Sequence, residues 1–226
     1  FVLSDLDIGM NDWMIPELKW DDNYRPDRGK VLSSGEVDKL EKFYRYLDVD
    51  GDGIAARTLP GENAKGAYFV RGSGHNKHGM YTESSEEYKD LVDRLLVKWD
   101  TARTMVPRPV LTQAEKKTSI GIIAFGSSHG AVLEALDDLR EKGIHADYMR
   151  VRAFPFNGEV TSFVEQHETI FVVEQNRDAQ LRSLLILETN TDARKLIPVL
   201  HYSGMPIPGE CVVEGVCEHL CAKDVA

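Results

Sequence analysis

From Ser119 onward, apolar and polar positions follow two alternating periods. The runs "SIGIIAFGSS", "IHADYMRVRAF", "TIFVVEQ" and "KLIPVLHY" are short, apolar and bounded by Gly, Ser or charged residues, as strands buried on both faces are. Between them "HGAVLEALDDLREKG", "NGEVTSFVEQHE" and "DAQLRSLLILETN" repeat apolar residues every three to four positions, the spacing of a helix with one packed side. Four strands separated by three helices predict an α/β domain: a parallel sheet covered on both faces and closed by right-handed crossovers.

The pattern is different upstream. "FVLSDLDIGM" reads as a buried strand entered midway, which suggests a piece of a longer protein. Next come "GMNDWMIPELKWDDNYRPDRGK", rich in Trp, Pro, Asp and Gly, a short helical segment near "SGEVDKLEKFYRYL", and loops. The strong element is "SSEEYKDLVDRLLVKWDTAR". There Ser84 and Glu87 have capping-box spacing, and Tyr88, Leu91, Leu95 and Trp99, or Val92, Leu96 and Trp99, line one face. The expected organisation is a loop-rich region over 1–103 with one long helix, a Pro-containing linker over 104–118, and the α/β domain over 119–226.

Composition narrows the partners. Of 226 residues, 42% are hydrophobic and 28% charged, so the chain can bury a core, and no apolar run is long enough to cross a bilayer. The net charge of −10 argues against a nucleic-acid partner, because phosphate binding needs a concentrated basic surface. No membrane partner is expected, and a cytoplasmic location is. The three cysteines, Cys211, Cys217 and Cys221, have the spacing C-x5-C-x3-C, which fits no common zinc pattern; they read as reduced thiols.

"YRYLDVDGDGIAAR" raises the question of calcium. Asp48, Asp50 and Asp52 alternate like the first ligands of a twelve-residue calcium loop, and Gly53 stands at its sharp turn. Position twelve, however, is Leu59 rather than the bidentate Glu, and Pro60 and Gly61 oppose an exiting helix. The three aspartates are therefore weak metal candidates, and the expected structure is a tight Asp-Gly turn. A calcium-binding interaction module stays as an alternative reading.

Several stretches together, "VLSDLDIGMNDW", "RGKVL", "RYLDVDGDGI", "RTLPG", "RGSGHNKHGMYTE", "MVPRPV", "GIIAFGSS", "VRAFPF", "VVEQNRDAQLRSLL" and "PVLHYSGMPI", resemble the C-terminal part of the alpha subunit of 2-oxoacid:acceptor oxidoreductases, most closely the 2-oxoglutarate:ferredoxin branch. The resemblance implies the tail of a pyrimidine-binding-type domain followed by a transketolase C-terminal-like α/β domain. It also implies a complex that oxidatively decarboxylates a 2-oxoacid, here 2-oxoglutarate, on thiamine diphosphate, gives succinyl-CoA and reduces ferredoxin. The implied cofactors are thiamine diphosphate, Mg2+ and [4Fe-4S], held mainly by other segments or the beta subunit, with CoA as co-substrate. The implied partners are the beta subunit, the remainder of the alpha subunit, a second alpha/beta protomer and ferredoxin. The segment itself would be structural and assembly-forming, with no catalytic residue and no activity alone. The C-terminal domain of a transketolase-like or E1-type thiamine enzyme is the alternative within the same fold.

By the same resemblance, "RGSGHNKHG" lies near the active-site entrance. Arg71, Ser73, His75 and Asn76 are its candidates for contact with substrate or CoA, and Asn76 and Lys77 stand where other members carry an acidic residue. "VVEQNRDAQ" places Glu174, Gln175, Asn176, Arg177 and Asp178 just past the carboxyl end of a buried strand. Glu174, Asn176, Arg177 and Asp178 are the interface candidates, with Asp178 also able to cap a helix. "FGSSHG" has neither GxGxxG spacing nor a Walker lysine and reads as a strand-to-helix turn. Asp5, Asp7, Asn11 and Trp13 fall in a turn expected to pack against a sister subunit.

Overall fold

The computed structural model describes residues 2–10, 12, 14–15, 17–69 and 72–224. Its helices are α1 (Leu6–Met10), α2 (Ser34–Lys39), α3 (Ser85–Met105), α4 (Ser128–Glu141), α5 (Gly158–Gln166), α6 (Gln180–Thr189) and α7 (Gly209–Asp224). Its strands are β1 (Val110–Thr112), β2 (Ile120–Phe125), β3 (Asp147–Val151), β4 (Thr169–Glu174) and β5 (Leu196–Leu200). The chain forms two compact units, one of residues 1–14 with 106–226 and one of residues 15–105.

In the first unit the strands form one sheet in the order β1-β3-β2-β4-β5. β2 pairs in parallel with β3 and β4, and β4 with β5, as the alternating periods predict. Successive strand residues point to opposite faces. Ile122, Ala124, Phe171 and Val173 therefore meet Val132, Ala135 and Leu139 of α4 and Val212 and Val216 of α7. Ile123, Met149, Ile170 and Val172 meet Val160, Phe163 and Val164 of α5 and Leu181 and Leu185 of α6. The approach of α5 needs Gly121, where a Cβ would lie 2.8 Å from the Phe163 ring.

Three expectations are corrected. The opening residues are not a buried strand: Val2 and Leu3 are exposed, and the chain turns into α1, whose first turn is closed by Ile8 N donating to the Asp5 carboxylate at 2.7 Å. The 104–118 segment is more than a linker, because β1 within it pairs antiparallel with β3. Asp147 fixes its exit by accepting from Ala114 N at 2.7 Å. Finally, α7 joins the core over a stretch for which no helix is expected from the sequence.

The second unit has a different composition of contacts. α3 forms over the expected stretch, and Ser84 Oγ accepts from Glu87 N at 3.4 Å, yet none of its residues is buried. α2 ends at Lys39, after which Leu40 is extended, so the helical segment is shorter than its pattern suggested. Among the described residues of this unit, the buried hydrophobic side chains are Val37 and Phe43. Among the described residues of this unit, ladder pairing is limited to isolated bridges, Val31 with Arg57 and His75 with Tyr81.

Candidate functional site

The polar chemistry of the second unit gathers on the Asp-Gly loop. Gly53 has φ +77°, and a Cβ there would lie 2.2 Å from the Lys98 main-chain nitrogen, so the loop backbone rests directly on α3. Asp48 accepts from the Gly51 and Gly53 amides at 3.0 and 2.8 Å. Although burial works against its charge, those amides hold its pKa below the ordinary carboxylate value. The oxygens of Asp48, Asp50 and Asp52 come within 4.8 Å of one another. The Lys30 ammonium binds two of the three, 2.6 and 2.8 Å from Asp50 and 2.6 Å from Asp52, and lies 2.9 Å from the Ile54 carbonyl. The Lys30 hydrogen bond, followed by that from Ile54 N, keeps Asp52 below the usual range. Burial opposes the charge on Lys30, and its bonds to Asp50 and Asp52 outweigh that, raising it above 10.5. The residue that completes this cluster, Lys30, was not among the sequence candidates.

The glycine-rich loop after it turns on Asn76. The Asn76 side-chain oxygen accepts from His78 N and Met80 N at 3.0 and 3.1 Å, and its amide donates to Glu87 at 3.0 Å. The side chain expected to face substrate is thus committed to closing the turn and joining it to α3. His75 lies against the Tyr46 ring, with centroids 4.0 Å apart, and its Nδ1 is 3.3 Å from the Ser73 carbonyl. Its Nε2 is shielded from solvent and has no hydrogen-bond partner. Ser73 is exposed, and Arg71 lies outside the described residues.

In the first unit, the loops after β2, β4 and β5 meet at the carboxyl ends of the parallel strands. The order of the sheet reverses between β2 and β4, where open α/β sheets place ligands. Ser127 and Gln175 flank that point. Gln175 donates to Ser127 Oγ at 2.9 Å and accepts from Ile207 N at 3.2 Å, while Ser127 donates to Asp5 at 3.0 Å. Asp7, Met10, His201 and Tyr202 help line a cavity of about 430 Å3 beside this chain of bonds.

Glu174, expected at an interface, faces inward and is fully buried. Its carboxylate accepts from Leu181 N and Arg182 N at 2.7 and 2.9 Å and from the Asn176 side chain at 2.7 Å. It holds the first turn of α6 to the end of β4, where the helix dipole favours a negative charge. Asn176 in turn accepts from Asp178 N at 3.1 Å, and Arg177 pairs with Asp178 at 2.7 Å. The side chains of Arg177 and Asp178 are 74% and 56% exposed, so of the four candidates they are the ones presented outward.

These residues do not suit the implied cofactors. A diphosphate on the first turn of α4 would meet Asp5, whose carboxylate already takes the Ser127 hydroxyl. The acidic cluster that would hold Mg2+ is filled by Lys30. Among the described residues the thiols join no group of three close metal-ligating side chains; Cys211 lies 3.8 Å from His201 Nδ1, and Cys217 and Cys221 lie further along α7. No helix among the described residues is long and apolar enough to cross a membrane.

Residues 118–206 match the family model described as pyruvate:ferredoxin oxidoreductase core domain II. The 2-oxoacid:ferredoxin oxidoreductase 2, subunit alpha, of Aeropyrum pernix is 27% identical over 184 residues, which are 80% of this chain and 27% of that protein. The 2-oxoacid:ferredoxin oxidoreductase subunit alpha of Saccharolobus solfataricus is 27% identical over 199 residues, 86% of this chain and 30% of that protein. Among solved structures, the 2-oxoglutarate:ferredoxin oxidoreductase of Magnetococcus marinus, with 2-oxoglutarate, coenzyme A and succinyl-CoA bound, shares the fold with a TM-score of 0.70 at 23% identity. That alignment covers 80% of this chain and 31% of that one. The chain thus spans less than a third of the length of these curated relatives. The matched residues hold β2 to β5, so this part of the chain is similar to core domain II of pyruvate:ferredoxin oxidoreductases, and the chain as a whole resembles part of the alpha subunits of 2-oxoacid:ferredoxin oxidoreductases.

Proposed function

We propose that this chain is the part of an alpha subunit that buttresses the thiamine diphosphate site of a 2-oxoglutarate:ferredoxin oxidoreductase, which forms succinyl-CoA and reduces ferredoxin. The observation that carries this reading is the likeness to the two alpha subunits over 80% and 86% of the chain. The choice of 2-oxoglutarate is supported by a further relative, the 2-oxoglutarate synthase subunit KorA of Archaeoglobus fulgidus, 29% identical over 104 residues, 45% of this chain and 28% of that protein.

Thiamine diphosphate supplies the carbanion chemistry, and it, Mg2+ and the iron–sulfur group belong to other segments or to the beta subunit. The roles left for this chain are positioning and assembly. His75, whose ring lies against Tyr46, can give its unpartnered Nε2 to a group of substrate, CoA or a neighbouring segment once the atoms that shield it move aside. Arg177 and Asp178 offer a charged pair to the beta subunit or to the remainder of the alpha subunit. Tyr88, Leu95 and Leu96 on α3 form an exposed apolar face of the kind that assembly covers.

The test is to co-purify a complex through a tag on this chain and assay reduction of a low-potential dye. Reduction that needs both 2-oxoglutarate and CoA, and that is at least about tenfold faster than with pyruvate, is expected. A complex that reduces the dye with no 2-oxoacid, or a chain that co-purifies with no iron, overturns the reading. In an active complex, His75→Ala is expected to raise KM for 2-oxoglutarate or CoA while the yield of complex stays the same.

A further inference from the structure

The loop over residues 48–54 has the layout of a divalent-cation loop, and a cation already sits in it. With Asp48 as position one, Lys30 Nζ takes the Asp50 carboxylate (position three) at 2.6 and 2.8 Å, the Asp52 carboxylate (position five) at 2.6 Å and the Ile54 carbonyl (position seven) at 2.9 Å. Positions three, five and seven are those that give oxygens to the ion in a twelve-residue calcium loop, the last through its main chain. The glycine of position six is Gly53, in the left-handed conformation such a loop requires. An acidic cluster alone would carry nothing. What distinguishes this one is a positive group, from a segment 20 residues upstream of Asp50, seated on that oxygen set.

We propose that Lys30 is the resident cation of this loop, doing the structural work of a metal ion and keeping a divalent ion out. Its connections give that work content. The Lys30 carbonyl accepts from Arg57 N at 2.9 Å, and Leu32 N donates to the Arg57 carbonyl at 2.9 Å, so the ammonium pins the loop to the segments it bridges. On the other side Arg94 donates to the Gly53 carbonyl at 2.6 Å and Thr101 to the Asp52 carbonyl at 2.6 Å, tying the same loop to α3. The ammonium and a divalent ion compete for one set of oxygens, so occupation by one excludes the other. The inference stands apart from the proposed enzyme, because it concerns only what fills this loop.

The test compares the full chain with its Lys30→Met variant by calcium titration calorimetry and amide hydrogen exchange. Without calcium the variant is expected to lose at least about tenfold of the protection of the Gly53, Ile54 and Arg57 amides, with the sheet amides unchanged. Calcium should then bind the variant with a dissociation constant of about 0.1–1 mM, the weak end for a loop whose position twelve is Leu59, and should restore the lost protection. The unmodified chain should bind calcium at least about tenfold more weakly than the variant. Equal calcium affinity in the two chains, or full protection in the calcium-free variant, overturns the proposal. If the variant does not fold, acetylation of the unmodified chain decides. Lys30 should then react at least about tenfold more slowly than Lys89, which is 75% exposed, and equal rates overturn the proposal.

Discussion

The two units are stabilised in different ways. In the sheet unit, alternate strand residues feed two apolar clusters, and even its buried polar groups serve that packing: Glu174 is buried only because the α6 amides take its carboxylate. In the unit of residues 15–105, the described buried hydrophobic side chains are Val37 and Phe43, and polar links make the connections instead, foremost a loop in which a lysine, three aspartates and main-chain groups bind one another. Apolar burial is non-directional and scales with area, so the first unit should tolerate local change gradually. A polar hub depends on every partner being in place, and the second unit should fail at few positions. The comparison predicts where substitutions act, as well as how much.

The largest effect belongs to the apolar unit. Phe171 lies at the centre of β4 with no exposed surface and meets the His219 ring edge-on at 5.6 Å. Phe171→Ala removes that burial and leaves a cavity, and should cost about 4 kcal/mol of the sheet unit's stability in urea titration followed by β-strand amide protection. If the comparison is right, the protection of Gly53 and Ile54 does not change.

Gly53→Ala is the matching test in the other unit. The new methyl group would meet the α3 backbone at 2.2 Å, in a conformation that L side chains rarely adopt. Backbone strain and overpacking together should cost about 3 kcal/mol. Amides around residues 51–57 and along α3 should lose protection while the sheet keeps its own. A loss spread equally over both units would remove the distinction.

What was legible in the sequence follows the same division. β2 to β5 and α4 to α6 were readable because burial on a sheet leaves a period in the chain. β1 was not, since its three residues stand among prolines and its pairing with β3 has no local trace. α7 was missed because Val212, Val213 and Val216 are mixed with Glu and Cys after a Pro-Gly step that reads as a loop. At the candidate sites the residue types were flagged, but their direction was not. Glu174 and Asn176 stand out in the sequence as polar residues just past the end of a buried strand, and only the folded chain shows the first turned into the core and the second closing two turns. The aspartates of the loop were visible, whereas Lys30, 20 residues before Asp50, belongs to the cluster only through folding.

Acid should separate the units where alkali does not. Asp48 and Asp52 have lowered folded pKa values, so their contribution is complete above the unfolded value of about 4 and is lost as pH falls through the lower folded values. Lys30 is raised, so its contribution is complete below about 10.4 and is lost as pH rises through its folded value. In the sheet unit, burial pushes the Tyr148 phenol up to about 12, so its contribution is complete below about 10 and is lost as pH rises through that value. Both units therefore weaken in strong base. As pH falls below about 4 and through the lower folded values, hydrogen exchange should find Gly53 and Ile54 losing protection while the β2 and β4 amides still hold. Simultaneous loss would mean that the hub does not govern its unit.

The smallest expected effect is the sharpest control. Lys89 and Asp93 lie one helical turn apart on α3, and their charged atoms are 2.5 Å apart, as close as those of Lys30 and its aspartates. The side chains are 75% and 52% exposed, water competes for both charges, and neither group joins separate parts of the chain. Lys89→Ala should leave stability unchanged within the error of a urea titration, and should leave the protection of Gly53 unaltered. Two lysine–aspartate contacts of similar length would then differ in consequence because one spans 20 residues of sequence and also takes a main-chain carbonyl, while the other spans four and does not. If Lys89→Ala weakened this unit as much as Lys30→Met, its stability would follow from the number of ion pairs, and the Lys30 loop would lose its special place.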